Sequence, residues 1–193
     1  TFDDNSNKDA MVTSGTAGAL TLACLTVLNP GDEIIVPDPY FVIYPSLARI
    51  ADAKAVLCDT YPDFRMTAGR IEPLITTKTK AVLLNSPANP TGVVLTQEEV
   101  DEIATLCRDR GLLLITDEIY DEFVYPPTEH ASPASSSEDV LVIRGYGKTY
   151  GCTGWRMGYA AGPNRLIDEM AKLQQQTFVC APSAMQHAVV GAY

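Results

Sequence analysis

Short, continuously apolar runs alternate with helical patterns along the chain, and this alternation constrains the fold more than any other feature. The apolar runs predict buried strands over residues 33–36, 54–58, 81–84, 112–116 and 140–143. The helical patterns cover residues 15–28, 41–51, 71–75, 96–110, 163–177 and the segment from 182 onward. Strands that are apolar on both faces and separated by helices form mostly parallel sheets, because helices cover each face. We therefore expect an α/β protein with three layers, α/β/α.

Local signals mark where the predicted helices begin and end. Thr96 and Glu99 have the spacing of a capping box, in which each side chain accepts a hydrogen bond from the other residue's backbone N–H. Ser14 is a candidate N-cap for the first helix, which the turn residues Asn29-Pro30-Gly31 end. Pro45 lies inside the second predicted helix and indicates an irregular first turn.

The charge balance and the length of the apolar runs exclude several classes of partner. The 193 residues contain 24 acidic and 14 basic side chains, which gives a net charge of −10. Nucleic-acid-binding surfaces need clustered Lys and Arg, so we expect no nucleic-acid partner. The longest apolar run, residues 19–28, is far shorter than the roughly 20 residues that span a membrane, so we expect no membrane partner.

The cysteines and histidines indicate a compartment and argue against a metal centre. The five cysteines form no Cys-x-x-Cys pair and no even set for a disulfide framework, which is typical of reduced thiols. The only histidines are His130 and His187, so a histidine-rich metal site is not expected. We therefore predict a cytoplasmic protein without a metal ion.

Polar side chains follow three of the predicted strands at the same end. Asn85 and Asn89 follow one strand. Asp117 ends the next strand, and Lys148 follows a third. Parallel sheets bind ligands beyond the carboxyl ends of their strands, so these segments are expected to share one site. A partly desolvated lysine is a nucleophile toward carbonyls and a buried carboxylate can hold a cationic ring nitrogen, which is the pattern of pyridoxal phosphate (PLP) sites.

Four motifs contain these residues and occur in a fixed order along the chain. They are Ser14-Gly15-Thr16-Ala17, Asn85-Ser86-Pro87-Ala88-Asn89-Pro90-Thr91-Gly92, Asp117-Glu118-Ile119-Tyr120, and the segment from Lys148 through Gly154-Trp155-Arg156-Met157-Gly158-Tyr159. On these motifs the chain resembles the large domain of the class I/II aminotransferases, which are PLP-dependent enzymes of fold type I with an aspartate aminotransferase-like architecture. The ordered set is far more specific than any one motif.

The resemblance implies roles for the residues that would meet the reacting part of PLP. Lys148 would form the internal aldimine and then move the proton between Cα and C4′. Asp117 would pair with the pyridine nitrogen and keep it protonated, so that the ring acts as an electron sink. Tyr120 and Asn89 would hydrogen-bond the phenolic oxygen of the ring, and would thereby tune the pKa of the aldimine.

The same resemblance implies residues that would hold the phosphate and the ring face. Arg156 would bind the phosphate, because its planar guanidinium suits oxyanions. The backbone of Gly15-Thr16-Ala17 would meet that phosphate at a helix N-terminus. Phe41 would stack on the ring, with Tyr40 as the alternative stacking residue.

The chain departs from the family pattern in two ways. Family members often carry serine at the positions of Gly145 and Gly147, so phosphate binding here would depend more on Arg156, Thr16 and backbone donors. Family members are also about twice as long as this chain. Residues 1–193 are therefore expected to be the PLP-binding large domain, as a fragment that lacks the N-terminal arm and the C-terminal small domain.

The function implied by the resemblance is that of a PLP-dependent aminotransferase. It would move an amino group between an L-amino acid and a 2-oxo acid in a biosynthetic pathway of amino acid metabolism, and it would be a homodimer when intact. One alternative is another fold-type I PLP enzyme, such as a β-lyase or a ring-forming synthase, since these share the binding set. Another is an aminotransferase-like ligand-sensing domain of a transcription regulator, whose DNA-binding module would precede Thr1.

Overall fold

One seven-stranded sheet organises the computed structural model of the chain, which describes residues 7–191. In chain order its strands are β1 (Lys8–Ser14), β2 (Glu33–Asp38), β3 (Lys54–Asp59), β4 (Thr79–Asn85), β5 (Leu113–Asp117), β6 (Val140–Gly145) and β7 (Met157–Pro163). Across the sheet they lie in the order β1-β7-β6-β5-β4-β2-β3. Strands β2 to β6 run parallel, whereas β7 is antiparallel to both neighbours, β1 and β6.

Helices connect most of the strands and cover both faces of the sheet. They are α1 (Gly15–Val27), α2 (Tyr44–Ile50), α3 (Ala68–Ile71), α4 (Gln97–Arg110), α5 (Tyr146–Thr149), α6 (Asn164–Thr177) and α7 (Ser183–Val190). Short 3-10 turns follow α3 at Glu72–Leu74, precede β6 at Pro133–Ser135 and precede β7 at Thr153–Trp155.

The apolar residues of β4 explain why the sheet lies between two helical layers. Ala81 and Leu83 pack with α1, α2 and α6 on one face. Val82 and Leu84 pack with α4 on the other face. Successive strand residues point to opposite faces, so a strand covered on both sides is apolar at every position. The predicted α/β/α class with a mostly parallel sheet is confirmed.

The predicted N-cap residues of α1 and α4 differ in whether their side chains cap the helix. Thr96 and Glu99 form the predicted capping box at the start of α4, and Gly111 ends that helix in a left-handed conformation with a φ of 65°. Ser14 is at the N-cap position of α1, but its side chain makes no capping hydrogen bond. The first N–H groups of α1 therefore lack a cap from Ser14.

Several elements differ from the prediction. β1 and β7 were not predicted, because β1 is polar and partly exposed and β7 is rich in Gly and Ala. The second helix starts at Tyr44, not at residue 41, and has Pro45 in its first turn. The helix predicted over 71–75 is instead α3 followed by a 3-10 turn.

Residues 7–191 lack disulfide bonds, and all five cysteines in this range are free thiols. No helix in this range has both the length and the apolar character needed to cross a membrane. The same residues contain no cluster of His, Cys, Asp and Glu side chains with the geometry of a metal site.

The strand register brings the predicted site segments together. Asn85 at the end of β4 pairs with Asp117 at the end of β5, and Asp117 pairs with Ile143 of β6. β6 then continues through Gly145 into the single turn of α5, which carries Lys148. Polar residues from three strands therefore meet at one edge of the sheet, which is where parallel sheets bind ligands.

Candidate active site

A small cleft lies at the carboxyl edge of the parallel strands. Its lining residues come from five separate segments and are Thr16, Phe41, Tyr44, Asn85, Asn89, Asp117, Ile119, Tyr120 and Lys148. The cleft combines a carboxylate, an amine, two phenols, two amides and aromatic faces in one small space. Such a convergence of polar groups in a concave site is typical of a binding site for a small molecule.

Asp117 lies at the floor of the cleft and has few partners for a buried carboxylate. Its side chain is 2% exposed. The hydroxyl of Tyr44 donates a hydrogen bond of 2.9 Å to Oδ2, and the backbone N–H of Ile119 donates a longer one of 3.3 Å to Oδ1. No basic side chain is among its hydrogen-bond or ion-pair partners within residues 7–191.

Burial raises the pKa of Asp117 to about 6, because a charged carboxylate is poorly solvated there. The hydrogen bond from Tyr44 opposes this effect, and the negative charge of Glu118 adds to it. A cation placed beside Asp117 in the cleft would lower this pKa and stabilise the ionised form. The carboxylate is therefore suited to hold a positively charged ligand atom.

Asn85 ties the end of β4 to two other parts of the site. Its Nδ2 donates to the backbone oxygen of Asp117 at 2.8 Å. Its Oδ1 accepts a hydrogen bond of 2.7 Å from the backbone N–H of Asn89. The side chain of Asn85 thus fixes the backbone on which Asp117 and Asn89 are mounted.

Aromatic side chains form the walls of the cleft. The rings of Phe41 and Tyr44 meet edge to face, with their centroids 5.7 Å apart. Elsewhere in the lining, Nζ of Lys148 lies 5.8 Å from the centroid of the Tyr120 ring. The lysine amine and the tyrosine are therefore neighbours in the cleft.

The start of α1 and Arg156 form a site suited to an anion. A Cβ built on Gly15 would lie 2.7 Å from Nη2 of Arg156, so the guanidinium packs directly against the first residue of the helix. The first N–H groups of a helix lack intrahelical partners and carry partial positive charge. Combined with a guanidinium, they favour a phosphate or carboxylate.

A close approach of two backbone segments, a left-handed backbone conformation and one side-chain hydrogen bond accompany the position of Arg156. A Cβ on Gly158 would lie 2.7 Å from the carbonyl carbon of Gly15, so β7 approaches α1 at a distance that only glycine allows. Arg156 itself has a left-handed backbone with a φ of 53°, which is unfavourable for a residue with a side chain. Its Nη1 donates to the backbone oxygen of Thr153 at 3.1 Å.

Gly145 is enclosed so tightly that a side chain would need its neighbours to move. A Cβ there would lie 3.0 Å from both Cδ1 of Ile119 and Cγ2 of Thr16, and 3.2 Å from the backbone oxygen of Met157. The methyl group of Thr16 therefore fills space beside β6 that a larger residue at 145 would use.

The structure places the nine predicted site residues in one region. Six of them line the cleft: Thr16, Phe41, Asn89, Asp117, Tyr120 and Lys148. Gly15 and Arg156 form the adjoining anion site. Ala17 is in the first turn of α1 but is not among the lining residues. Tyr40, the alternative to Phe41, is also not among them.

From the sequence, Tyr44 and Ile119 were not expected in the site, and Asn85 was expected at this edge of the sheet but without a role of its own. Tyr44 follows Phe41 by three positions, which is the spacing that puts two residues on one side of a helical turn. Asn85 is a polar residue at the end of an apolar strand, a signal that was noted without a role. Nothing in the pattern around Ile119 indicates that it faces the cleft.

Comparisons with known proteins agree with this geometry. The family described as "Aminotransferase class I and II" matches residues 2–193. The chain is 39% identical over 188 residues to the putative aminotransferase YugH of Bacillus subtilis, covering 95% of this chain and 49% of that protein. It is 40% identical over 173 residues to the aspartate aminotransferase of Bacillus sp. YM-2, covering 86% and 44% respectively.

A solved structure supports the same assignment. The aromatic aminotransferase from Pyrococcus horikoshii superposes with a TM-score of 0.92 at 35% identity, covering 96% of this chain and 51% of that one. The chain thus spans about half the length of the relatives it matches. Because the family match extends over residues 2–193, the chain belongs to the aminotransferase class I and II family.

Proposed function

We propose that the protein is a PLP-dependent aminotransferase and that the residues of this chain form the cofactor-binding part of its site. The observation that carries the proposal is the convergence of Asp117, Lys148 and the Gly15–Arg156 anion site around one cleft. Membership of the family supports the activity. As part of the same proposal, residues 1–193 form the PLP-binding large domain.

The chemistry of the donor set fits PLP. The phosphate would be held by Arg156 and the first N–H groups of α1, since both favour anions. Asp117 would pair with the ring nitrogen, and Phe41 would cover the ring face. Asn89 and Tyr120 would hydrogen-bond the phenolic oxygen.

When bound, PLP supplies an electron-withdrawing ring that stabilises negative charge on the substrate's Cα. Asp117 would support this chemistry, because its ionised carboxylate would favour a protonated ring nitrogen. Tyr44 assists by donating a hydrogen bond to the ionised form of that carboxylate. Water is excluded from this end of the site, since Asp117 and Tyr44 are both buried.

Lys148 would have two successive roles. Among the cleft-lining residues that the structure describes, Lys148 has the amine that would hold the aldehyde carbon of PLP covalently. As a free amine beside Tyr120, Nζ would also be placed to act as a base. It would take the proton from the substrate's Cα and later give a proton back, which is general acid–base catalysis by one group.

The substrates proposed are an L-amino acid and a 2-oxo acid. The names of the relatives include both aspartate and aromatic aminotransferases, so they do not favour one side chain. We also propose that the intact protein is a homodimer, as the resemblance to the family implies. We also propose a cytoplasmic location and a biosynthetic role in amino acid metabolism.

The test is an absorbance titration of the intact protein with PLP, followed by borohydride reduction and peptide mass analysis. We expect an absorption band that survives desalting and a PLP adduct on Lys148. The variant Lys148→Ala should lack both signals, whereas Lys172→Ala should retain both, since that exposed lysine on α6 pairs with Glu169. Absence of a Lys148-dependent band would contradict the PLP assignment.

The reaction type is then tested on the same sample. Addition of an L-amino acid should change the band, and a 2-oxo acid should restore it with formation of a new amino acid. Release of ammonia without any need for a 2-oxo acid would instead assign a lyase. Binding without turnover of any amino acid would favour a ligand-sensing domain.

A further inference from the structure

Tyr120 is followed and preceded by carboxylates that bind the same arginine. Glu118 accepts hydrogen bonds from Nε and Nη2 of Arg144 at 2.9 and 2.6 Å. Asp121 contacts Nη1 of the same guanidinium at 3.2 Å. We call Glu118, Asp121 and Arg144 the Arg144 clamp. Its two acidic members lie on either side of Tyr120 in the chain, and the arginine lies on β6.

The clamp is built on a buried anchor. The carboxylate of Glu118 is fully buried, and it also accepts a hydrogen bond of 2.7 Å from Ser132 and contacts Nε2 of His130 at 3.0 Å. Burial opposes its ionisation, but these hydrogen bonds and the charge of Arg144 outweigh burial and lower the pKa of Glu118. Glu118 is therefore a charged, fixed partner for Arg144.

The backbone around Tyr120 is also folded into a turn that the clamp closes. The N–H of Asp121 donates to the oxygen of Glu118 at 3.0 Å, and the N–H of Phe123 donates to the oxygen of Tyr120 at 2.8 Å. No regular helix or strand includes Tyr120, since β5 ends at Asp117. The Tyr120 ring meets the ring of Phe123 edge to face, with the centroids 5.7 Å apart, so the turn that places Phe123 also helps to place the Tyr120 ring.

We propose that the Arg144 clamp is a positioning device that holds the Tyr120 hydroxyl where it meets the bound ligand. The proposal rests on the proposed function, because the contact that Tyr120 makes is with PLP. Glu118, Asp121 and Arg144 are not among the residues that line the cleft. Each acts through Tyr120 and not on the reacting atoms.

The test is a double-mutant cycle on the intact, PLP-bound protein. The wild type, Asp121→Asn, Tyr120→Phe and the double variant are compared. For each protein, two quantities are measured: the pH midpoint of the absorption band and the dissociation constant of PLP. Each single variant should shift the midpoint in the same direction and weaken PLP binding, by roughly tenfold for Tyr120→Phe. In the Tyr120→Phe background, Asp121→Asn should have no further effect, since residues that act through one contact are not additive.

Matched variants separate positioning from general destabilisation. Glu122→Gln changes an exposed carboxylate next to the clamp and should leave both quantities unchanged. Glu118→Gln should act as Asp121→Asn does, with a larger effect. If the Glu118→Gln protein does not fold, the result for Asp121→Asn alone tests the proposal. Additive shifts in the double variant, or an unchanged midpoint in a folded Asp121→Asn protein, would overturn the proposal.

A second readout does not need the cofactor. In the PLP-free protein, Asp121→Asn should speed hydrogen exchange at the amides of Asp121 and Phe123, whereas Glu122→Gln should not. If wild type binds no PLP but this exchange result is obtained, the proposed function fails while the clamp is retained as a feature of the loop. If wild type binds PLP and the exchange is unchanged, the clamp proposal fails alone.

Discussion

Asp117 and Glu118 are consecutive buried carboxylates at the end of β5, and the protein surrounds them in opposite ways. Asp117 faces the cleft with one phenol and one backbone N–H as partners, and burial raises its pKa to about 6. Glu118 is bound by Arg144, His130 and Ser132, and these partners lower its pKa despite its burial. One carboxylate is left without a counter-charge, which suits a ligand, while its neighbour is fully paired, which suits a structural anchor.

The largest expected effect comes from removing the counter-charge of Glu118. Arg144→Met leaves a buried carboxylate without its cation and should reduce the free energy of unfolding by about 3–5 kcal/mol near pH 7. Urea denaturation measures it. Arg110→Met is the control, because its pair with Glu72 is about half exposed on both sides and should contribute less than about 1 kcal/mol. Equal losses in the two variants would contradict the comparison.

Neutralising Asp117 should instead increase the free energy of unfolding. Its folded pKa of about 6 lies above its ordinary value of 3.8, so its stabilising contribution is complete below pH 4 and is lost as pH rises through 6. Asp117→Asn should therefore stabilise the PLP-free protein by about 3 kcal/mol at pH 8 and by almost nothing at pH 4. Unfolding at both pH values tests this, and a loss of stability at pH 8 would be inconsistent with a carboxylate that lacks a counter-charge.

Removing the hydroxyl of Tyr44 takes from Asp117 its one side-chain hydrogen-bond donor among the described residues, whereas Glu118 keeps all of its partners. Tyr44→Phe should reduce the free energy of unfolding by about 1–2 kcal/mol at pH 8, since a charged acceptor loses its best donor. It should also raise the pKa of Asp117 further, which carboxyl NMR titration would report. In an Asp117→Asn background the stability loss should shrink, and an unchanged loss would assign Tyr44 to packing alone.

The smallest effect is expected on the Glu118 side. The hydroxyl of Thr116 donates a hydrogen bond of 3.2 Å to Oε1 of Glu118. If this bond is removed, the same oxygen still accepts the shorter bond of 2.7 Å from Ser132. Thr116→Val should therefore reduce the free energy of unfolding by about 1 kcal/mol or less. Thermal unfolding is sufficient to measure it. A loss as large as that of Arg144→Met would mean that the hydroxyl, and not the guanidinium, controls Glu118.

The sequence was most informative where local pattern and burial agree. The strands β4 and β5 and the capping box at Thr96 were predicted because each leaves a local signature. The nine site residues could be named because their motifs resemble a known family. The convergence of six of them on one cleft follows from the parallel sheet, in which equivalent strand ends share an edge.

What was missed depends on contacts between distant segments. β7 contains Gly158 because it must approach Gly15, so its composition reports a close contact and not a strand. The partnership of Tyr44 with Asp117 joins a helix to a strand end, and neither residue alone indicates the other. The opposite surroundings of Asp117 and Glu118 were likewise invisible, because adjacent acidic letters do not specify which one meets an arginine.

The antiparallel pairing of β6 with β7 has a consequence for spacing in the site. Gly145 pairs with Gly158, so the connection over residues 146–156 begins and ends at two strands that are hydrogen-bonded to each other. Lys148 and Arg156 both lie in this connection. Its length therefore limits the span, which is the distance between the Lys148 amine and the Arg156 guanidinium. An inserted residue would alter that span directly. Residues 126–129 lie in the longer connection between β5 and β6 and are not among the residues that line the cleft, so we expect insertions there to leave the span unchanged.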